Sequence, residues 1–175
     1  MKRIVWILGA ALVGLSLASG LRSALAGHAP RADWTRTAVV TATSGLTADY
    51  PQGWHALAYG EDDDSLVIAS FPLSADWPTN IPAGGVYIWV FTYGAIWPST
   101  TADFPVRPAH FRLAKDDYGY YGCAFKLPGY ALRFRMKGMA VQAMVALGKG
   151  ARAGDALTVL DRLRISGVRP SLASA

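Results

Sequence analysis

The chain has 175 residues, room for one ordinary domain. At 52% hydrophobic and 17% charged it lies far from the disordered class and can bury a core. Its formal charge of +5 falls to +2 when Lys2, Arg3 and Arg22 of the N-terminal segment are set aside, leaving 14 basic against 12 acidic residues. That balance argues against a nucleic-acid binder, which concentrates positive charge. Cys123 is the single cysteine, so no intramolecular disulfide can form. Its apolar surroundings read as those of a buried, inert thiol.

Met1, Lys2 and Arg3 form a short positive start, and residues 4–20 are uncharged and apolar. Ala24 and Ala26 then make an A-x-A site before Gly27, so residues 1–26 read as a secretory signal peptide. An apolar run of this length sits at the lower limit of a membrane span. Retained, the segment would be an N-terminal hydrophobic helix anchoring the chain. No cysteine follows it to carry a lipid. Residues 27–37 lack a period and read as a linker, with His28 exposed.

Thr37–Thr43 is β-branched and predicts a first strand. Leu46–Tyr50 alternates, and Pro51-Gln-Gly53 ends it. Residues 54–59 carry Trp54 and Tyr59 on a short strand or helical turn. Glu61, Asp62, Asp63 and Asp64 form the only acidic run. It lacks the alternating oxygen ligands, turn glycine and closing carboxylate of a calcium loop, so it reads as a solvated hairpin connection. Ser65–Phe71 is a continuous apolar strand, expected to be central and covered on both faces.

Residues 72–85, with Pro72, Pro78, Pro82 and Trp77, form a long irregular loop. Residues 86–93 are the clearest strand, placing Val86, Ile88, Val90 and Thr92 on one face and Tyr87, Trp89, Phe91 and Tyr93 on the other. Such an aromatic row is core under a covering element or, less often, a stacking platform for a ligand. A second proline-rich loop covers 94–110 with Trp97, Phe104 and His110. Phe111–Leu113 is a short strand candidate, and Tyr121–Lys126 another.

Residues 131–137 and 139–147 then form a hairpin. A two-residue turn at Lys137-Gly138 pairs Met136 with Met139, Phe134 with Val141 and Leu132 with Ala143, all on one face. Arg133, Arg135 and Lys137 point the other way, a solvated face or a site for an anionic partner. Ala156, Val159, Leu160 and Leu163 recur at helical spacing, predicting a helix over 152–164 that covers the sheet. Gly154 or Asp155 would cap it, with Arg162 and Arg164 in its last turn. Residues 168–175 read as a frayed tail.

No nucleophile elbow, paired zinc histidines, phosphate loop or dinucleotide motif occurs, and neither cofactor nor metal is implied. His55 beside Asp49 is the only acid–base arrangement, the basis of a rival reading as a small extracytoplasmic hydrolase. A structural histidine is the simpler reading.

The Tyr50-Pro-Gln-Gly-Trp54 turn, the strand over 86–93, the segment 127–134 and the late Leu157, Leu160, Leu163 pattern resemble small exported proteins of Gram-positive bacteria. The same turn, followed by an antiparallel sheet and a late helix, is similar to the PsbP-like α/β/α sandwich. That resemblance spans 38–166 and implies binding or assembly in place of catalysis; it transfers no site residue. The expectation is an α+β domain over 38–167, with an antiparallel sheet of about six or seven strands and a C-terminal helix packed on it. Its expected role is a non-enzymatic binding or accessory module outside the cytoplasmic membrane, acting on a protein or a cell-envelope component. Trp77, Trp97 and Tyr118 are the expected contact residues. A purely structural domain, anchored by the N-terminal segment, is a third reading.

Overall fold

The computed structural model describes residues 31–59, 64–74, 77–93, 104–120 and 127–166. Along the chain these form β1 (Thr37–Thr41), β2 (Leu46–Pro51), β3 (His55–Tyr59), β4 (Ser65–Ala69) and β5 (Val86–Tyr93). A 3-10 turn (Lys115–Asp117) leads into β6 (Tyr118–Tyr120), followed by β7 (Pro128–Met136), β8 (Met139–Leu147), α1 (Ala153–Asp161) and β9 (Arg164–Ile165). The chain is thus α+β, and its strands pair antiparallel.

Two sheets are present where the sequence pattern suggests one. The larger has six strands in the order β3-β4-β5-β8-β7-β6, and the smaller has three in the order β1-β2-β9. The split falls at the Tyr50–Trp54 turn. There Gly53 takes φ +91, the left-handed region open to glycine, and Trp54 N–H donates to the Pro51 carbonyl at 3.1 Å. The chain reverses out of one sheet and enters the other.

The β7–β8 hairpin has the register its alternation requires: Met136 faces Met139, Phe134 faces Val141, and Leu132 faces Ala143. Lys137 and Gly138 both take positive φ, +47 and +80, the type I′ geometry that matches strand twist. β4 is buried along its whole length. Leu66 and Ile68 face one core cluster while Val67 and Ala69 face another, so a continuous apolar run here does mark a central strand.

The main core lies between one face of the large sheet and a cover made of α1 and the small sheet. Ile88, Phe134, Val141 and Val145 meet Leu46, Ala48, Val159, Leu160, Leu163 and Ile165 there. Burial of this cluster is the principal stabilising term, at about 25 cal/mol per Å² of apolar surface removed from water.

Three local expectations are corrected. The helix ends at Asp161, so Arg162 is its C-cap and Arg164 lies in β9, not in a last helical turn. The chain leaves the helix there because β9 pairs Ile165 with Leu46 and buries it, while Arg164 Nη1 reaches Asp49 Oδ1 at 2.8 Å. At the other end Arg152 is the N-cap, without a side-chain cap bond, and Gly154 lies inside the helix. Asp155 is buried, and its carboxylate faces the Ala32 N–H at 3.4 Å. Phe111–Leu113 is not a strand. The Phe111 N–H is taken by Asp161 Oδ1 at 2.8 Å and its ring packs edge-on against Phe134, so no ladder partner is needed.

The stretch before β1 is docked as well: Trp34 packs on the core, and the Arg162 guanidinium sits 4.6 Å above its ring. Residues 1–26, with the expected hydrophobic helix, lie outside the described residues, as do His28, Trp97, Cys123 and the predicted 121–126 strand. Among the described residues no helix is long and apolar enough to cross a membrane.

Candidate functional site

The second face of the large sheet carries the aromatic residues. Strand alternation on β5 puts Tyr87, Trp89, Phe91 and Tyr93 on this side because Val86, Ile88 and Val90 are drawn into the main core. The rings touch in series: Trp89 to Phe91 at 4.6 Å between centroids, and Phe91 to Tyr93 at 5.3 Å. Phe104 closes the far end, edge-on to Tyr93 at 5.4 Å.

Trp77 arrives from the loop between β4 and β5. It meets Trp89 edge-on at 4.6 Å and lies nearly parallel to Tyr59, at 17° and 6.3 Å. The loop is fixed by its other end. Gly84 N–H donates to the Lys149 carbonyl at 2.9 Å and Gly148 N–H to the Gly85 carbonyl at 2.8 Å. A Cβ at Gly148 would run into the Pro82 carbonyl, so this close approach requires glycine.

The row is therefore two things at once. Tyr87 is buried and forms core with Val67, Leu127, Met144 and Ala146. Tyr59 and Trp77, at the β3 edge, remain 36% and 39% exposed, with Leu57 beside Tyr59 on the same strand face at 40%. Stacked aromatics left in water form an apolar contact surface with little conformational entropy to lose.

Of the expected contact residues, Trp77 and Tyr118 are described, and they lie at different edges of the sheet. Tyr118 is 53% exposed on β6, the opposite edge of the sheet from β3, with Tyr130 edge-on at 5.0 Å. Tyr59 was not singled out by sequence. Its position before the acidic run hides that Trp77 stacks on it.

His55 and Asp49 are each placed by their strands. His55 is exposed at the start of β3, and Asp49 lies in β2 against Arg164. The Arg164–Asp49 contact is ionic, off the hydrogen-bond direction at Oδ1. Among the described residues no hydrogen bond or ion pair joins His55 to Asp49. Nor does any group of three His, Cys, Asp or Glu among them have metal-ligand geometry.

The three basic residues of the hairpin have separate partners. Lys137 Nζ donates to the Ile165 carbonyl at 2.8 Å, and Arg133 Nε donates to Gln142 Oε1 at 3.2 Å. The Arg135 backbone joins a short parallel bridge with 105–107. No family model, curated protein or solved structure matches this chain.

Proposed function

We propose that this chain is an exported, non-enzymatic binding or accessory domain that acts outside the cytoplasmic membrane on a cell-envelope polymer. The observation that carries the reading is the exposed, nearly parallel Tyr59–Trp77 pair, backed by Trp89. Flat aromatic faces held rigidly at a sheet edge suit the apolar C–H faces of sugar rings, and tryptophan and tyrosine carry a large share of contact energy in binding surfaces. Export rests on the basic start, apolar run and A-x-A site of residues 1–26. The PsbP-like resemblance, which implies binding or assembly, rests on the Tyr50–Trp54 turn and the late leucine pattern of the sequence.

Co-sedimentation with purified cell-wall material of the native host tests it. The wild type should sediment saturably, and Trp77→Ala and Tyr59→Ala should each weaken the interaction at least about tenfold, the size of a contact hot spot. Unchanged sedimentation in both variants would exclude this surface. Recovery of the chain only from the cytosol would exclude the location.

A further inference from the structure

The outer edge of β7 is interrupted by a gap. Near the Lys137 turn, Arg135 pairs with the 105–107 segment: its N–H donates to the Pro105 carbonyl at 2.7 Å and its carbonyl accepts the Arg107 N–H at 3.0 Å. One step back, the same parallel pattern would have residue 105 donate to the Arg133 carbonyl. Proline has no N–H, so the ladder stops there. From the other end, β6 pairs only as far as Tyr118, opposite Tyr130. The Arg133 carbonyl is left as an acceptor at the open edge.

A recess of about 410 Å³ lies at this gap, within the range of small-molecule sites, lined by Pro105, Asp116, Asp117, Ala131 and Arg133. Ala131 and Arg133 alternate with Leu132, which is buried in the main core, so the recess opens on the aromatic-bearing face of the sheet. Arg133 is exposed, and its Nε is held by the buried Gln142 at 3.2 Å. Asp116 is exposed, and no ion pair joins it to Arg133. Asp117 is fixed in its 3-10 turn, where its carboxylate accepts the Ala114 N–H at 3.3 Å.

Charge decides the class of ligand. Two carboxylates in the recess oppose an anion, and the guanidinium among them opposes a cation. An uncharged polar ligand meets neither penalty. Arg133 offers donors from its side chain, while the carboxylates and the Arg133 carbonyl offer acceptors. A hydroxyl donates and accepts at once, and two neighbouring hydroxyls match the fork of either a guanidinium or a carboxylate. Pro105 and Ala131 add the apolar wall that the C–H face of a sugar ring would meet.

We infer that the recess between β7 and the Asp116–Asp117 turn binds a neutral sugar unit, with Arg133 donating to its hydroxyls and Asp116 and Asp117 accepting from them. The site lies four strand spacings from β3, about 19 Å, so it is separate from the Tyr59–Trp77 pair and does not rest on the envelope reading.

The test is a titration of 15N-labelled full-length protein with the methyl glycosides of glucose, galactose and mannose, followed by amide shifts. At least one should give saturable shifts at Asp117, Ala131 and Arg133, with half-saturation below about 10 mM. Glucuronate and glucosamine should each bind more weakly than the best neutral glycoside. Arg133→Gln should weaken that glycoside at least about tenfold. Asp116→Asn should narrow the gap between glucuronate and the neutral sugar, a response that a merely structural role for Asp116 would not produce. Arg135→Gln and Trp77→Ala should leave binding unchanged. No saturation by any of the three glycosides, full binding by Arg133→Gln, or tighter binding of either charged sugar would each overturn the assignment. Saturable shifts confined to Tyr59 and Trp77 would overturn this site and leave the aromatic pair as the sugar contact.

Discussion

The Asp64 carboxylate accepts the Thr92 hydroxyl at 2.9 Å across the large sheet, while its other oxygen accepts the Ser44 N–H at 2.9 Å. Ser44 turns β1 into β2, so one side chain ties the small sheet to β5 of the large one. Thr92 N–H also donates to the Asp64 backbone carbonyl at 3.2 Å. Asp64→Ala should therefore destabilise the fold by about 2 kcal/mol, the range for hydrogen bonds to a charged group, and Thr92→Val by about 1 kcal/mol. Urea denaturation of both variants and the double variant should give a coupling near 1 kcal/mol. Strict additivity would mean that Asp64 acts through Ser44 alone.

Asp64 also marks where sequence reasoning stops. Its neighbours in the acidic run suggest a solvated loop, and nothing in that run says that the last carboxylate faces inward. Patterns set by nearest neighbours on a strand are legible: the Met136–Met139 register, the two-faced burial of β4 and the division of β5 into aliphatic and aromatic faces. Pairings between distant segments are not. β9 has two residues, too short for a period, and exists because Leu46 offers an unpaired edge beside Ile165. The stacking of Trp77 on Tyr59 and the burial of Gln142 beneath Arg133 are likewise products of tertiary placement. Only the residue types were visible, an aromatic row and a basic strand face, without the neighbours that give them a use.

Two glycines should respond to alanine in opposite directions. Gly138 takes φ +80 in the hairpin turn with open space around it, so Gly138→Ala meets no clash and its cost is conformational, about 1 kcal/mol. Gly154 lies inside α1 with nothing near its missing Cβ. Gly154→Ala should stabilise by about 0.5–1 kcal/mol by restricting the unfolded chain and favouring helix. Thermal unfolding of the two variants side by side checks both signs. A lower melting temperature for Gly154→Ala would contradict the helix boundaries.

Arg107 is the clamp between the segment at 104–113 and the helix. Its Nη2 donates to the Asp161 carbonyl at 2.7 Å and to the Leu160 carbonyl at 3.2 Å, two groups left open at a helix C-terminus. Asp161 in turn holds the Phe111 N–H and faces His110 Nδ1 at 3.1 Å. Arg107→Ala should cost about 1–2 kcal/mol through the lost charge-assisted bonds. Hydrogen exchange should accelerate at Phe111 and Leu160 before it does so in β8. Arg107→Lys should recover only part, since an ammonium can donate to both carbonyls but lacks the planar guanidinium that lies 5.2 Å from the Phe111 ring centroid. Exchange that rises evenly over the whole domain would show that the clamp has no local role.

Tyr87 sets the alkaline limit of the fold. Burial raises its hydroxyl above the ordinary value of 10.0, and the nearby Tyr59 pushes in the same direction. The folded state therefore keeps this proton after the unfolded chain has released it. Its contribution is fully present below about pH 10 and is lost as pH rises from there toward the folded value, at up to about 1.4 kcal/mol per pH unit for one proton. Tyr87→Phe removes the titrating group and keeps the buried ring, at a cost of up to about 1 kcal/mol at neutral pH. Urea unfolding of both proteins between about pH 9 and about pH 11 compares the slopes directly, since the remaining tyrosines are common to both. The wild type should lose stability faster than the variant above pH 10, and the two curves should converge. Parallel curves would mean that Tyr87 ionises alike in the folded and unfolded chain, and would place the alkaline sensitivity on another group.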